Sequence, residues 1–222
     1  MKNRMILAPF AAFLFGIAVA VAPGQAQNVH RPEPSTPDQW TQRYQWQMPV
    51  RVMKEIGVVS GMTVADIGAG EGYFSFYLAD KVGSSGKVYA SDIDAGALQT
   101  LRERAAREQV RNIVTIQGNE TDPKIPAQSV DLALIVNVLP MIEHPKEFFG
   151  SIAKALKPNG TLAIIQWAAE KLDREDADWE TPFRNSLRFY LRQIYDGDFE
   201  VVKILNFLPV QNIYICKPRG KN

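Results

Sequence analysis

From residue 62 to the C-terminus, short apolar runs alternate with segments whose apolar residues recur every three or four positions. The short runs end in glycine or polar clusters and read as buried strands of a parallel sheet. They fall at 62–67, 87–93, 112–117, 130–138 and 161–167. The fourth is apolar almost throughout and belongs at the centre of the sheet. The segments between them read as helices over 73–81, 95–108 and 145–156. Leu98, Leu101 and Ala105 line one face of the second, and Phe148, Phe149, Ile152, Ala153 and Leu156 one face of the third. Pro145 suits a first helical turn, and Lys157-Pro158-Asn159-Gly160 signals a turn. A further helix opens with Thr181 as cap and Pro182 at its first position and runs to about Tyr195. Strands at 200–207 and 212–217 close the chain. Only residues 208–211 separate them, too few for a helical crossover, so this pair is antiparallel. The pattern predicts an α/β domain: a doubly wound, mostly parallel sheet with a C-terminal antiparallel hairpin.

The N-terminus follows a different rule. Lys2 and Arg4 are the only charges before Arg31, and all 18 residues from 5 to 22 are apolar, Gly or Pro. A short positive stretch, an apolar stretch and then small residues form the signal-peptide pattern. Gly24-Gln25-Ala26 places small residues for cleavage after Ala26; Ala20-Val21-Ala22 also fits, but Pro23 would follow that cut. The alternative is an uncleaved membrane anchor, although 18 residues with Pro9 and six alanines lie at the lower edge of a spanning helix. No cysteine near the leader's end marks a lipoprotein. Residues 27–38, with Pro32, Pro34 and Pro37, read as an extended linker, which leaves 39–222 as one domain. The expected location is periplasmic or secreted, with an inner-membrane anchor by the uncleaved segment as the alternative. The mature form is expected to have no stable membrane span.

Composition adds exclusions. With 222 residues, 46% hydrophobic and 22% charged, the chain is not disordered, collagen-like or a disulfide miniprotein. Its net charge of +1 owes two positive charges to the leader, so the remainder carries −1 and suggests no nucleic-acid partner. Cys216 is the single cysteine, which excludes an intrachain disulfide and a cysteine zinc site. No metal site is expected, because His30 and His144 are far apart and no carboxylate cluster has ligand spacing.

The chemistry gathers around Val64-Ala65-Asp66-Ile67-Gly68-Ala69-Gly70-Glu71-Gly72-Tyr73. A glycine loop between a strand and a helix lets backbone N–H groups approach a ligand. The dinucleotide fingerprint is G-x-G-x-x-G, whereas Gly68, Gly70 and Gly72 spell G-x-G-x-G. Asp66 before the loop would repel a pyrophosphate and suits an ammonium. Asp92, at the end of the second strand, can accept hydrogen bonds from ribose hydroxyls, while Asp94 reads as a helix cap. Asn119, after the third strand, either offers its amide to an adenine edge or closes a plain turn.

Residues 62–166 resemble class I S-adenosylmethionine-dependent methyltransferases, a Rossmann-like family, and most of all the group that includes the quinone-biosynthesis C-methyltransferases. The resemblance implies S-adenosylmethionine as cofactor. Its methionine end would lie at Asp66, Gly68, Gly70 and Gly72, its ribose at Asp92 with Ile93 beside it, and its adenine at Asn119, where Asp is common in the family. Asn137-Val138-Leu139 resembles the segment beneath the cofactor, and residues 154–162 the turn before the fifth strand. The leader with Trp46-Gln47-Met48-Pro49 is similar to predicted exported bacterial methyltransferases.

Methyl transfer from a sulfonium draws mainly on proximity and needs a protein base only for an acceptor that must lose a proton. Asn137 either orients an acceptor or cofactor or satisfies a turn. His144 either acts as a base or caps the helix at Pro145, with Glu143 beside it. Asp131, at the start of its strand, and Cys216 read as structural. Trp40, Tyr44 and Met48, at i, i+4 and i+8, predict a helix that either lids the cleft or packs on the core. Residues 171–180, with Trp179, form a solvated loop or border the acceptor. The expected function is methyl transfer to an unidentified acceptor, a small molecule being favoured, and oligomeric state is not readable. The alternatives are a non-catalytic S-adenosylmethionine-binding module and a nicotinamide-dependent oxidoreductase.

Overall fold

A computed structural model describes residues 37–171 and 187–220. The elements run α1 (Pro37–Gln47), α2 (Pro49–Glu55), β1 (Thr63–Ile67), α3 (Tyr73–Val82), β2 (Lys87–Asp92), α4 (Ala95–Arg107), β3 (Ile113–Gln117), β4 (Val130–Val136), α5 (Pro145–Ala155), β5 (Leu156–Trp167), α6 (Leu187–Asp196), β6 (Phe199–Leu205) and β7 (Gln211–Pro218). Seven strands form one sheet in the order β3-β2-β1-β4-β5-β7-β6. Pairs among the first five are parallel, and β7 runs antiparallel to both β5 and β6. The order reverses between β1 and β4, which opens the crevice where sheets of this kind bind ligands. The leader, most of the linker, the helix start at Thr181-Pro182 and the stretch through Trp179 lie outside the described residues.

Side-chain alternation along the strands builds the two cores. Ala65, Ile67, Ala133, Ile135, Leu162, Ile164, Tyr214 and Cys216 pack on one face with Phe149 and Ile152 of α5 and Tyr190 of α6. Val64, Leu132, Leu134, Ala163, Ile165 and Ile213 pack on the other with Val52 of α2 and Phe74 and Leu78 of α3. Strict period-two alternation buries both faces, as the apolar strand runs require. Cys216 is fully buried, and burial pushes its thiol up to about 12, so its role is packing.

Four departures from expectation stand out besides small shifts at other element ends. Helix α1 begins at Pro37, inside the predicted linker. The helix expected through Tyr44 and Met48 breaks at Met48, whose φ of 45° is left-handed, and Pro49 opens α2. A residue before proline is driven out of the helical region. Tyr44 is half-exposed against Tyr77, and the side chain of Trp40 lies outside the described residues. Strand β4 ends at Val136 rather than 138, because Asn137 takes φ 58°. The turn at 157–160 is a bulge inside β5: Val130 pairs with Leu156, but Leu132 pairs with Thr161. Lys157 turns there onto Asp131 at 2.8 Å, and Asp131 also accepts the Thr63 N–H at 2.9 Å. The carboxylate ties β4 to its neighbours and has the structural role read for it.

Candidate functional site

The loop from β1 to α3 needs its glycines. Gly68, Gly70 and Gly72 have φ of 75°, 55° and 88°, a region L side chains rarely adopt. A Cβ at Gly68 would lie 2.4 Å from Val138 Cγ2, and one at Gly72 2.8 Å from Leu101. The Gly68 and Ala69 N–H groups donate to the Ser91 carbonyl at 2.8 and 3.0 Å, which pins the loop to the end of β2. The glycines therefore let the loop fold closely onto Val138, Leu101 and the end of β2.

Two carboxylates flank the loop. Asp66, at the end of β1, is buried and accepts the Ser75 hydroxyl at 2.6 Å. Burial raises its pKa to about 6, against the opposing pull of Ser75 and of the Arg43 charge. Asp92 is also buried; its Oδ2 accepts the Gly70 N–H at 2.7 Å and its Oδ1 the Asp94 N–H at 3.0 Å. Those bonds fix the plane of the carboxylate at the end of β2. Asp94 is the cap of α4, accepting from the N–H groups of Gly96 and Ala97. Ile93 is 54% exposed beside Asp92, a flat apolar surface at the strand end.

The remaining expected residues divide. Asn119 is exposed, and its carbonyl oxygen accepts the Thr121 and Asp122 N–H groups at 3.0 and 2.7 Å. It closes a turn, and that oxygen is committed there. His144 occupies the cap position of α5 without a side-chain capping bond, and both it and Glu143 are exposed. Asn137 is placed at the crevice: its N–H donates to the Ile165 carbonyl at 2.9 Å and its Oδ1 accepts from Gln211 at 2.8 Å.

That last bond belongs to a polar chain the sequence did not reveal. Gln211 Oε1 accepts from Gln47 Nε2 at 3.1 Å, and Gln47 Oε1 accepts from the Arg43 guanidinium. Gln47 and Gln211 are fully buried. The chain runs from α1 through β7 to the end of β4, and Trp46 stacks on Trp167 at 5.0 Å to hold the same helix against β5. Arg43 lies 4.0 Å above the ring of Tyr73, the first residue of α3. Residues this distant in the chain carry no shared local signal; the helix expected from the spacing of Trp40, Tyr44 and Met48 is the most the sequence offered.

A family model described as "Methyltransferase domain" matches residues 59–203, well over half of the chain. The chain belongs to this methyltransferase family. A demethylmenaquinone methyltransferase of Lactococcus lactis is 27% identical over 139 residues, covering 63% of this chain and 55% of that protein. Aklanonic acid methyltransferase DauC of a Streptomyces species is 40% identical over 76 residues, 34% of each chain. The chain thus spans about half the length, or less, of these relatives. Among solved structures, a SAM-dependent methyltransferase from Aquifex aeolicus superposes with a TM-score of 0.71 at 24% identity, over 82% of this chain and 97% of that one.

S-adenosylmethionine is the cofactor of this family, and the methyltransferase residues fit it. The left-handed glycine loop brings Asp66 and Asp92 to one end of the sheet. The buried Asp66 suits the cofactor's ammonium, the oriented Asp92 its ribose hydroxyls, and the exposed Ile93 the face of its adenine. The fit makes affinity depend on pH. An ammonium pairs with the ionised carboxylate, and the Asp66 pKa is raised to about 6 in the free protein. Affinity is therefore expected to be full well above pH 6 and to fall roughly tenfold per pH unit below it, checked by calorimetric titration with S-adenosylhomocysteine between about pH 4.5 and 8. A flat profile contradicts the assignment of Asp66.

Proposed function

We propose that this protein transfers a methyl group from S-adenosylmethionine to a small-molecule acceptor. The observation that carries the reading is the pairing of Asp66 and Asp92 across one left-handed glycine loop at the point where the strand order reverses. Bound there, the cofactor supplies an electrophilic methyl on sulfur. The chain's own residues would bind and orient it, with Asp66 and Asp92 holding its two ends. Among the described residues no group stands out as a base, which is consistent with catalysis by proximity. The relatives are named for small-molecule acceptors, and the charge of −1 outside the leader gives no purchase on nucleic acid. The test is transfer of labelled methyl from S-adenosylmethionine to a panel of hydroquinones and phenols. Label in the small-molecule fraction supports the reading, label on protein or nucleic acid overturns the acceptor class, and cofactor binding with no transfer supports the binding-module alternative.

We also propose that residues 1–26 export the protein, on the support of the charged, apolar and small-residue order of the leader. N-terminal sequencing of the cell-derived protein then begins at Gln27. An intact Met1 in the membrane fraction contradicts cleavage and supports the anchored alternative.

A further inference from the structure

We propose that Asn137 binds an oxygen atom of the methyl acceptor through its amide N–H₂ group, and that Arg43, Gln47 and Gln211 are positioning residues that fix this polarity. The inference deepens the methyl-transfer reading and rests on it. It assigns the acceptor to molecules with an anionic oxygen, such as phenolates and enolates, which offer a lone pair and no hydrogen at that atom.

A side-chain amide can present either its oxygen or its nitrogen to a ligand, and its partners decide which. The bonds that run from α1 leave no choice. A guanidinium has donors and no acceptor, so Arg43 can meet only the Gln47 oxygen. That turns Gln47 Nε2 to Gln211, whose oxygen accepts it at 3.1 Å. Gln211 Nε2 is then the group that faces Asn137, whose Oδ1 accepts it at 2.8 Å. Reversing any one amide would set two donors or two acceptors against each other, where Gln47 and Gln211 are fully buried. Arg43 is itself held 4.0 Å over the Tyr73 ring, so the first link is anchored outside the chain of amides. The last link leaves Asn137 with its oxygen engaged and its amide nitrogen without a partner among the described residues.

The backbone singles out the same residue. Asn137 is half-buried and takes a left-handed φ of 58°, while its N–H stays tied to the Ile165 carbonyl at 2.9 Å. A left-handed non-glycine residue is strained, and the strain persists only where the surroundings hold it. Its neighbour Val138 is the residue on which Gly68 packs. Asn137 thus stands at the end of β4, between the glycine loop after β1 and the end of β5. The two ends of the cofactor fall to Asp66 and Asp92 on β1 and β2, which leaves a donor at the end of β4 for the acceptor. A donor whose orientation is already fixed needs no reorganisation when it meets negative charge on an oxygen, and it turns away a group that carries only N–H.

The experiment saturates the protein with S-adenosylhomocysteine and measures affinities for 4-nitrophenolate and 4-nitroaniline at mildly alkaline pH. The probes share one shape and differ in the atom offered, an anionic oxygen against an N–H₂ group. The unaltered protein is expected to prefer the phenolate by at least about tenfold. Asn137→Gly accommodates the left-handed backbone and adds no charge, and it is expected to remove most of that preference by weakening the phenolate alone. Gln211→Met frees the Asn137 amide to turn and is expected to remove part of it. Equal affinities in the unaltered protein, tighter binding of the aniline, or binding of neither probe overturn the proposal without any variant having to fold. A preference that survives in Asn137→Gly also overturns it, with or without an equal loss for both probes, because a purely structural role predicts that result. An unchanged preference in Gln211→Met overturns the positioning role of the amide chain. Failure of the unaltered protein to bind S-adenosylhomocysteine removes the cofactor reading itself, a distinguishable result.

Discussion

Asp66→Asn is expected to make the protein more stable while stripping it of cofactor affinity. The free protein holds this carboxyl in a buried position with a pKa raised from 3.8 to about 6, burial being the main cause. A carboxyl whose folded pKa lies above its unfolded value opposes folding when ionised. The penalty is absent below the unfolded pKa, grows as pH rises between the two values, and is complete above 6. Converted at 1.36 kcal/mol per unit, it is on the order of 3 kcal/mol at neutral pH. Asparagine carries no charge to desolvate and still accepts the Ser75 hydroxyl, although its amide N–H₂ needs a new acceptor, a cost of about 1–2 kcal/mol. The net gain is about 1–2 kcal/mol, a rise of several degrees in melting temperature at pH 7.5 that disappears as pH approaches 4. The same variant loses the ammonium's charged partner and about 100-fold in S-adenosylhomocysteine affinity. A lower melting temperature at neutral pH contradicts the account, because it makes Asp66 a stabilising residue.

Gly68→Ala is expected to cost both stability and binding. The position requires φ of 75°, and the added Cβ would meet Val138 Cγ2 at 2.4 Å. Left-handed backbone strain of about 1 kcal/mol and overpacking of about 1–3 kcal/mol combine to about 2–4 kcal/mol. Val138 is β-branched and has little rotamer freedom with which to move away. The clash and the strain separate experimentally: Val138→Ala in the same chain makes room for the Cβ but leaves the φ penalty. Denaturant melts should therefore show about half the loss recovered in the double variant, with cofactor affinity still reduced at least tenfold by the displaced loop. Full recovery contradicts the need for left-handed backbone at this position.

Much of this site was legible because its signals are local. The glycines and Asp66 share one turn, Asp92 sits at a strand end set by period, and Asp94 two residues later is recognisable as a cap, which it is. The apolar strand runs likewise predicted the buried, mostly parallel sheet, and the four-residue separation at 208–211 its C-terminal antiparallel pair. Other features depend on distant partners. Lys157-Pro158-Asn159-Gly160 has the composition of a turn, but pairing of Leu156 with Val130 draws it into β5 as a bulge. Asn119 left two roles open from composition, and the structure shows its oxygen engaged in its own turn. Arg43 and Gln47 carry no signal of their own in the sequence, and Gln211 falls in the expected connection between the last two strands; only the fold joins them to Asn137 and buries Gln47 and Gln211 completely. Long-range hydrogen bonds between uncharged amides leave no periodicity and no spacing to read.

The crevice between the ends of β1 and β4 is expected to bind S-adenosylmethionine. The decisive measurement is calorimetric titration at pH 7.5 with S-adenosylhomocysteine, and separately with NADH. Saturable one-to-one binding of S-adenosylhomocysteine that Asp92→Ala weakens strongly is expected, with no binding of NADH. Absence of S-adenosylhomocysteine binding at millimolar concentration by folded protein, or saturable binding of NADH in its place, would contradict it.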